Sequence, residues 1–78
     1  MTHQLPTITP KKLIRALEKA GFVFKRQTGS HRSYIHPDRA KKIVTVPFHN
    51  KDLKKGTLKS ILRQADLTVE EFIKLLKT

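Results

Sequence analysis

Histidines are the residues most able to do chemistry in this chain. His31 follows a Gly29-Ser30 pair and has basic neighbours, in the stretch RQTGSHRSYIHP. Histidine is the side chain that most readily gives or takes a proton near neutral pH. His31 is therefore a candidate for proton transfer. The alternative, which the residues leave open, is a half-exposed polar residue at the start of a strand.

Metal ligands are scarce around these histidines. His31 and His36 are five residues apart, so on one extended strand their side chains would point to opposite faces. Asp38 and Asp52 are the only carboxylates near them in the sequence, and the chain has no cysteine. Because a metal site usually needs three or four convergent ligands, we expect neither a metal nor another cofactor.

Cleavage of RNA without a metal is chemically accessible, because the 2′-hydroxyl is an internal nucleophile. The reaction needs a base for the hydroxyl proton, an acid for the leaving 5′-oxygen, and cations beside the phosphate. His31 is the strongest candidate for one proton-transfer role. His36 and His49, which are expected in a turn and a loop, are weaker candidates for the other.

The net charge of +11 is concentrated in one part of the chain. Residues 1–60 contain fourteen Lys and Arg residues against three carboxylates, whereas residues 61–78 contain three of each sign. Such a distribution favours a surface for a polyanion, with nucleic acid the first expectation. An acidic protein partner and simple solubility are the alternatives.

Two segments could contact phosphate. One surrounds the Gly29 turn, and the other, KDLKKGTLKS, places a glycine and two lysines where a helix begins, so that backbone amides and the helix dipole would add to the positive charge. Ordinary helix capping with solvated lysines is the alternative for the second. The predicted RNA-binding residues are Lys25, Arg26, Gly29, Ser30, Arg32, Lys54, Lys55, Gly56 and Thr57.

Periodicity and capping signals predict an α+β fold. A helix is expected from Thr9 to Gly21, three short strands over 22–27, 31–37 and 42–48, and two helices that begin near Thr57 and Thr68. The predicted order is α-β-β-β-α-α, with a three-stranded antiparallel sheet, the helices on one face and the other face open to a ligand. We expect a flexible tail over residues 1–8 and a single domain over residues 9–78.

Strand alternation gives His31 two possible environments. If Ile35 points into the core, His31 lies on the core face at the mouth of the strand. If Tyr34 points inward, His31 lies on the open face. We prefer the second arrangement, because an aromatic ring fills a small core better and the proposed chemistry requires access.

An ordered set of motifs, GF, GSH, VPFH and GTLKSIL, occurs in this short chain. This set resembles the HicA (YcfA-like) toxin family, and the similarity extends from about Pro10 to Phe72. Lys55 occupies a position where many members have proline. The lysine should add positive charge without altering the fold. The N-terminal tail is longer than in the shortest members.

The resemblance implies a fold like the double-stranded-RNA-binding domain and an mRNA interferase in which His31 of the GSH motif is catalytic, with Gly29 and Ser30 shaping its turn. It also implies a HicB-type antitoxin that covers the active face, and inhibition of translation when the toxin is free. A non-catalytic RNA-binding module and a protein-interaction domain are the competing functions. With no apolar stretch long enough for a membrane and no secretory signal, we expect a cytoplasmic protein.

Overall fold

The computed structural model describes residues 5–38 and 42–77. Its elements are α1 (Pro10–Lys19), β1 (Val23–Thr28), β2 (His31–Ile35), β3 (Ile43–Pro47), α2 (Lys55–Ala65) and α3 (Val69–Lys77). This is the predicted α-β-β-β-α-α order, and the α+β class is confirmed. No helix within the described residues is long and apolar enough to cross a membrane.

Local signals explain where the outer helices begin. Thr9 caps α1 by accepting a hydrogen bond from the Lys12 N–H at 3.4 Å, and Pro10 takes the first helical position. Before α3, Thr68 and Glu71 form a reciprocal capping box, with N–H···O distances of 2.9 and 3.0 Å. Both starts are as the sequence predicts.

The sheet is an antiparallel meander in the order β1-β2-β3. Tyr34 is only 2 % exposed, and Val44 and Val46 beside it are fully buried against the helices. Tyr34 therefore points into the core, which confirms the preferred strand parity. His31, Ser33 and their partners on β3, Pro47 and Thr45, lie on the opposite face, which none of the helices in the described residues covers.

The packed part of the chain begins earlier than the expected domain boundary at residue 9. Leu5 and Ile8 are both buried in the core, and the Leu53 N–H donates a 2.8 Å hydrogen bond to the Ile8 carbonyl oxygen. Residues 5–8 thus pack beneath the segment that leads into α2. The remainder of the expected tail, residues 1–4, lies outside the described residues.

Two contacts fix the direction of α2 along the sheet. Lys42, just before β3, forms a 3.3 Å ion pair with Asp66 at the end of α2. The Thr45 N–H, in the middle of β3, donates to the Gln64 side chain at 3.4 Å. Because β3 runs away from Lys42, α2 is antiparallel to it, and the first turn of α2 lies towards the end of the sheet that carries Pro47.

Candidate nucleic-acid interface

A tight turn presents His31. Thr28 and His31 are paired across the β1–β2 hairpin, so Gly29 and Ser30 form a two-residue loop. Gly29 has a φ of +58°, as the first central position of a type II′ turn requires. A Cβ there would meet nothing within 4 Å, so backbone conformation, rather than space, is what requires the glycine.

His31 is exposed on the open face, opposite Pro47 of β3. Within the described residues its imidazole has no hydrogen bond or ion pair. We call the end of the sheet that carries the Gly29-Ser30 turn, His31 and Pro47 the hairpin end. A proton-transfer group at this position is accessible to a large substrate.

His36 has a different environment at the other end of β2. Its side chain is buried, its Nδ1 accepts a hydrogen bond from the Asp38 N–H at 3.1 Å, and its Nε2 lies 3.1 Å from the Ala20 carbonyl oxygen. Since Nδ1 accepts, Nε2 carries the proton and donates to Ala20. The ring also packs edge-on against Phe22, with centroids 5.1 Å apart. His36 therefore stabilises the fold and does not join His31.

His49 is exposed and lies two residues beyond Pro47, the cross-strand partner of His31. Its Nδ1 accepts a hydrogen bond from the Lys51 N–H at 3.2 Å. Of the two weaker histidine candidates, His49 is the one that the fold places at the hairpin end.

The two basic residues of β1 differ in position because of a β-bulge. The pairing register shifts between Phe24 and Arg26, so Lys25 has no partner on β2. Arg26 pairs with Ser33, which alternation places on the same face as His31. Arg26 is thus the cation of β1 that shares the open face with His31.

Arg32 points to the other side of the sheet from His31. Its Nε donates to the Gln27 side-chain oxygen at 2.9 Å, and its guanidinium carbon lies 3.7 Å from the centroid of the Phe48 ring. The Gln27 side-chain nitrogen in turn donates to the Gly29 carbonyl oxygen at 3.0 Å. The guanidinium is therefore held in one orientation beside the hairpin turn.

The start of α2 has the features of an anion site. Lys54 is the N-cap residue but makes no side-chain capping bond, and the first turn contains Lys55, Gly56 and Thr57 without an acidic residue. Cations at a helix N-terminus oppose the helix dipole, and uncapped N–H groups lack partners, so a bound anion would relieve both effects. The direction of α2 places this turn towards the hairpin end.

Most of the predicted site residues thus lie towards the hairpin end, on both sides of the sheet, whereas Lys25 lies in mid-strand at the β-bulge. The sequence did not identify Gln27 and Phe48, which hold Arg32. Phe48 lies sixteen positions from Arg32, and only the β2–β3 register reveals their contact. Within the residues that the structure describes, no three His, Asp or Glu side chains are grouped in a way that could hold a metal ion.

The family model described as the HicA toxin of bacterial toxin-antitoxin systems matches residues 10–67. That range covers α1, the whole sheet and α2, and it includes every predicted site residue. No curated protein matches the sequence significantly.

Proposed function

The chain belongs to the HicA toxin family of bacterial toxin–antitoxin systems, and from this premise we propose that it is a metal-independent endoribonuclease, an mRNA interferase. The observation that carries the proposal is the position of His31, exposed on the open face at the cation-rich hairpin end. The grouped site residues provide no metal-ligand set, whereas they do provide a proton-transfer group and positive charge.

The proposed reaction is an internal transesterification. The 2′-oxygen attacks the adjacent phosphorus, its proton passes to a base, and the bond to the 5′-oxygen breaks as an acid protonates that oxygen. The products are a 2′,3′-cyclic phosphate and a 5′-hydroxyl. His31 performs one of these proton transfers, and a positioned acid or base contributes typically about 10²- to 10⁴-fold to the rate.

Cations of the hairpin end would stabilise the negative charge of the phosphate. Arg26 shares the face of His31 and is proposed to contact the reacting region, while Lys25 and the Gly29-Ser30 turn flank it. Lys54, Lys55 and the first N–H groups of α2 are proposed to bind neighbouring phosphates. These contacts neutralise and orient the strand without reading its bases.

Family membership also implies pairing with an antitoxin. We infer a HicB-type protein that covers the open face and blocks His31. Val23 and Ile43 lie at the far end of this face and are 51 % and 48 % exposed, so a protein partner would gain apolar area there. We further propose that the protein acts on mRNA in the cytoplasm and thereby inhibits translation.

Product analysis tests the proposed reaction. Wild-type protein should cleave single-stranded RNA in the presence of EDTA, leaving 2′,3′-cyclic phosphate and 5′-hydroxyl ends. An RNA with 2′-O-methyl groups throughout should bind but stay intact. Loss of activity in EDTA, or cleavage of the methylated RNA, would contradict the mechanism. Binding without cleavage of unmodified RNA would instead favour the non-catalytic RNA-binding module.

A third outcome would favour the protein-interaction domain. In that case the protein would bind no RNA even at low salt, yet would bind its antitoxin tightly. The basic hairpin end would then serve an acidic protein surface.

A further inference from the structure

A groove on the helix side of the sheet has no role in the proposed reaction. It lies between the first turns of α1 and the Arg32–Phe48 pair, and its volume is ≈ 470 Å³. Four cations line it together with two apolar side chains: Lys11, Lys12, Arg15, Arg32, Ile14 and Phe48. No carboxylate is among the lining residues that the structure describes.

The cations are positioned on rigid elements. Lys11 and Arg15 are one turn apart on α1, with Lys12 between them, and all three are exposed. Arg32 is fixed on the opposite wall by Gln27 and by the Phe48 ring. Positive charge therefore faces the groove from both walls, and on the β2 wall the Arg32 guanidinium needs little ordering when a ligand binds.

The groove adjoins the position of His31, although it opens on the other side of the sheet. Arg32 directly follows His31, and the Phe48 N–H donates a 2.6 Å hydrogen bond to the Ser30 carbonyl oxygen. On β2, Arg32 at the rim of the groove is thus the residue next to His31. At the end of β3, Phe48 at the rim is the residue next to Pro47, the cross-strand partner of His31. A chain that passes His31 can reach the groove by crossing the hairpin end.

We propose that this groove binds the sugar–phosphate backbone of the RNA strand next to the phosphodiester whose cleavage His31 assists by proton transfer. The inference rests on the proposed function, which supplies a polyanion at His31. It extends the contact surface to Lys11, Lys12 and Arg15, which are not among the RNA-binding residues predicted from the sequence. Because one face of the Phe48 ring is occupied by Arg32, the groove favours phosphate contacts over base stacking, and binding there is independent of RNA sequence.

The test measures binding of an uncleavable single-stranded RNA, 2′-O-methylated throughout, at several salt concentrations. The groove variant combines Lys11→Gln, Lys12→Gln and Arg15→Gln, which keep helix propensity. The control variant combines Lys59→Gln, Arg63→Gln and Lys74→Gln, which remove the same charge from α2 and α3. Unfolding midpoints verify that each variant is folded, and the single variant Arg15→Gln serves as the milder probe.

We expect the groove variant to bind RNA more weakly. The salt slope, which is the slope of log affinity against log salt concentration, should become shallower by about two units. Each single-strand phosphate contact contributes about 0.7 to this slope. Arg15→Gln should lower the slope by about 0.7, and the control variant should leave it close to wild type. Equal effects of the groove and control variants would overturn the inference. Unchanged RNA binding with weakened antitoxin binding would also overturn it, and would assign the groove to the protein partner.

This test is independent of catalysis. A wild type that binds the methylated RNA through the groove but never cleaves unmodified RNA would refute the proposed function alone. A wild type that cleaves RNA while the groove variant keeps both its salt slope and its KM would refute the groove alone.

Discussion

The imidazole of His36 and the carbonyl oxygen of Ala20 lie 3.1 Å apart and join the end of α1 to the end of β2. Gly21, between α1 and β1, has a φ of +101° and passes so close to this ring that a Cβ would lie 2.7 Å from Nε2. Gly21 and Phe22 thus both pack against His36. Gly21 lets the chain turn, and its lack of a side chain leaves room for the His36 ring. The sheet that carries His31 is anchored to α1 by this contact.

Gly21→Ala should destabilise the protein by about 2–4 kcal/mol, because it adds backbone strain to a steric clash with a buried ring. Chemical denaturation would measure the loss. Gly56→Ala is the matched control, since a Cβ at Gly56 meets nothing within 4 Å and the position is helical. Its stability should be unchanged or slightly higher. Equal effects of the two substitutions would contradict the packing described for Gly21.

His36→Leu should lower the free energy of unfolding by about 1–3 kcal/mol, because the Ala20 carbonyl loses its donor and the Asp38 N–H its acceptor. RNA cleavage per folded molecule should stay at the wild-type level. The measurement pairs denaturant unfolding with cleavage rates under conditions in which the variant is folded. Full stability with lost cleavage would show that His36 takes part in catalysis.

Gly29→Ala should cost about 1–2 kcal/mol, since the positive φ of the turn is unfavourable for a residue with a Cβ. Gly29→Asn should cost clearly less, because asparagine is among the residues preferred at the positive-φ positions of such hairpin turns. No clash contributes, so the difference between the two variants reports the backbone alone. If alanine and asparagine gave the same stability, φ would not be what selects glycine here.

The double substitution Lys54→Gln and Lys55→Gln should weaken RNA binding without lowering stability. Removing two cations from the start of α2 should lower the salt slope of RNA binding by about 1.4 units. It should leave stability unchanged or raise it by about 0.3–1 kcal/mol, since these charges oppose the helix dipole. Lys59→Gln in the same helix is the control and should alter neither. A loss of stability without a change in RNA binding would indicate that the lysines serve the fold.

Much of the architecture follows from short-range signals in the sequence. The Thr9 cap, Pro10, and the Thr68–Glu71 capping box each act over three or four residues, so the pattern predicts them directly. Alternation along β2 left two possible faces for His31, and the preference for burying the Tyr34 ring selected the one that the structure shows. The starts of α1 and α3 and the exposure of His31 were therefore predicted from the sequence.

Long-range contacts explain what the sequence did not predict. His36 was expected in a turn, and its burial depends on Ala20, sixteen residues away. Arg32 was grouped with His31 because the two are adjacent, but strand alternation directs its side chain to the groove on the other side. Leu5 belongs to the core although no periodic pattern marks it. Strand register and tertiary packing determine the environments of these three residues, and neither can be predicted from neighbouring residues alone.

The central claim is that the His31 imidazole transfers a proton during RNA cleavage. The most direct measurement compares wild type and His31→Ala for single-turnover cleavage of one RNA in EDTA, with binding to the methylated RNA measured in parallel. In the variant, cleavage should fall by about 10²- to 10⁴-fold, while RNA affinity and the unfolding midpoint should stay close to wild type. Cleavage by His31→Ala at the wild-type rate would contradict it.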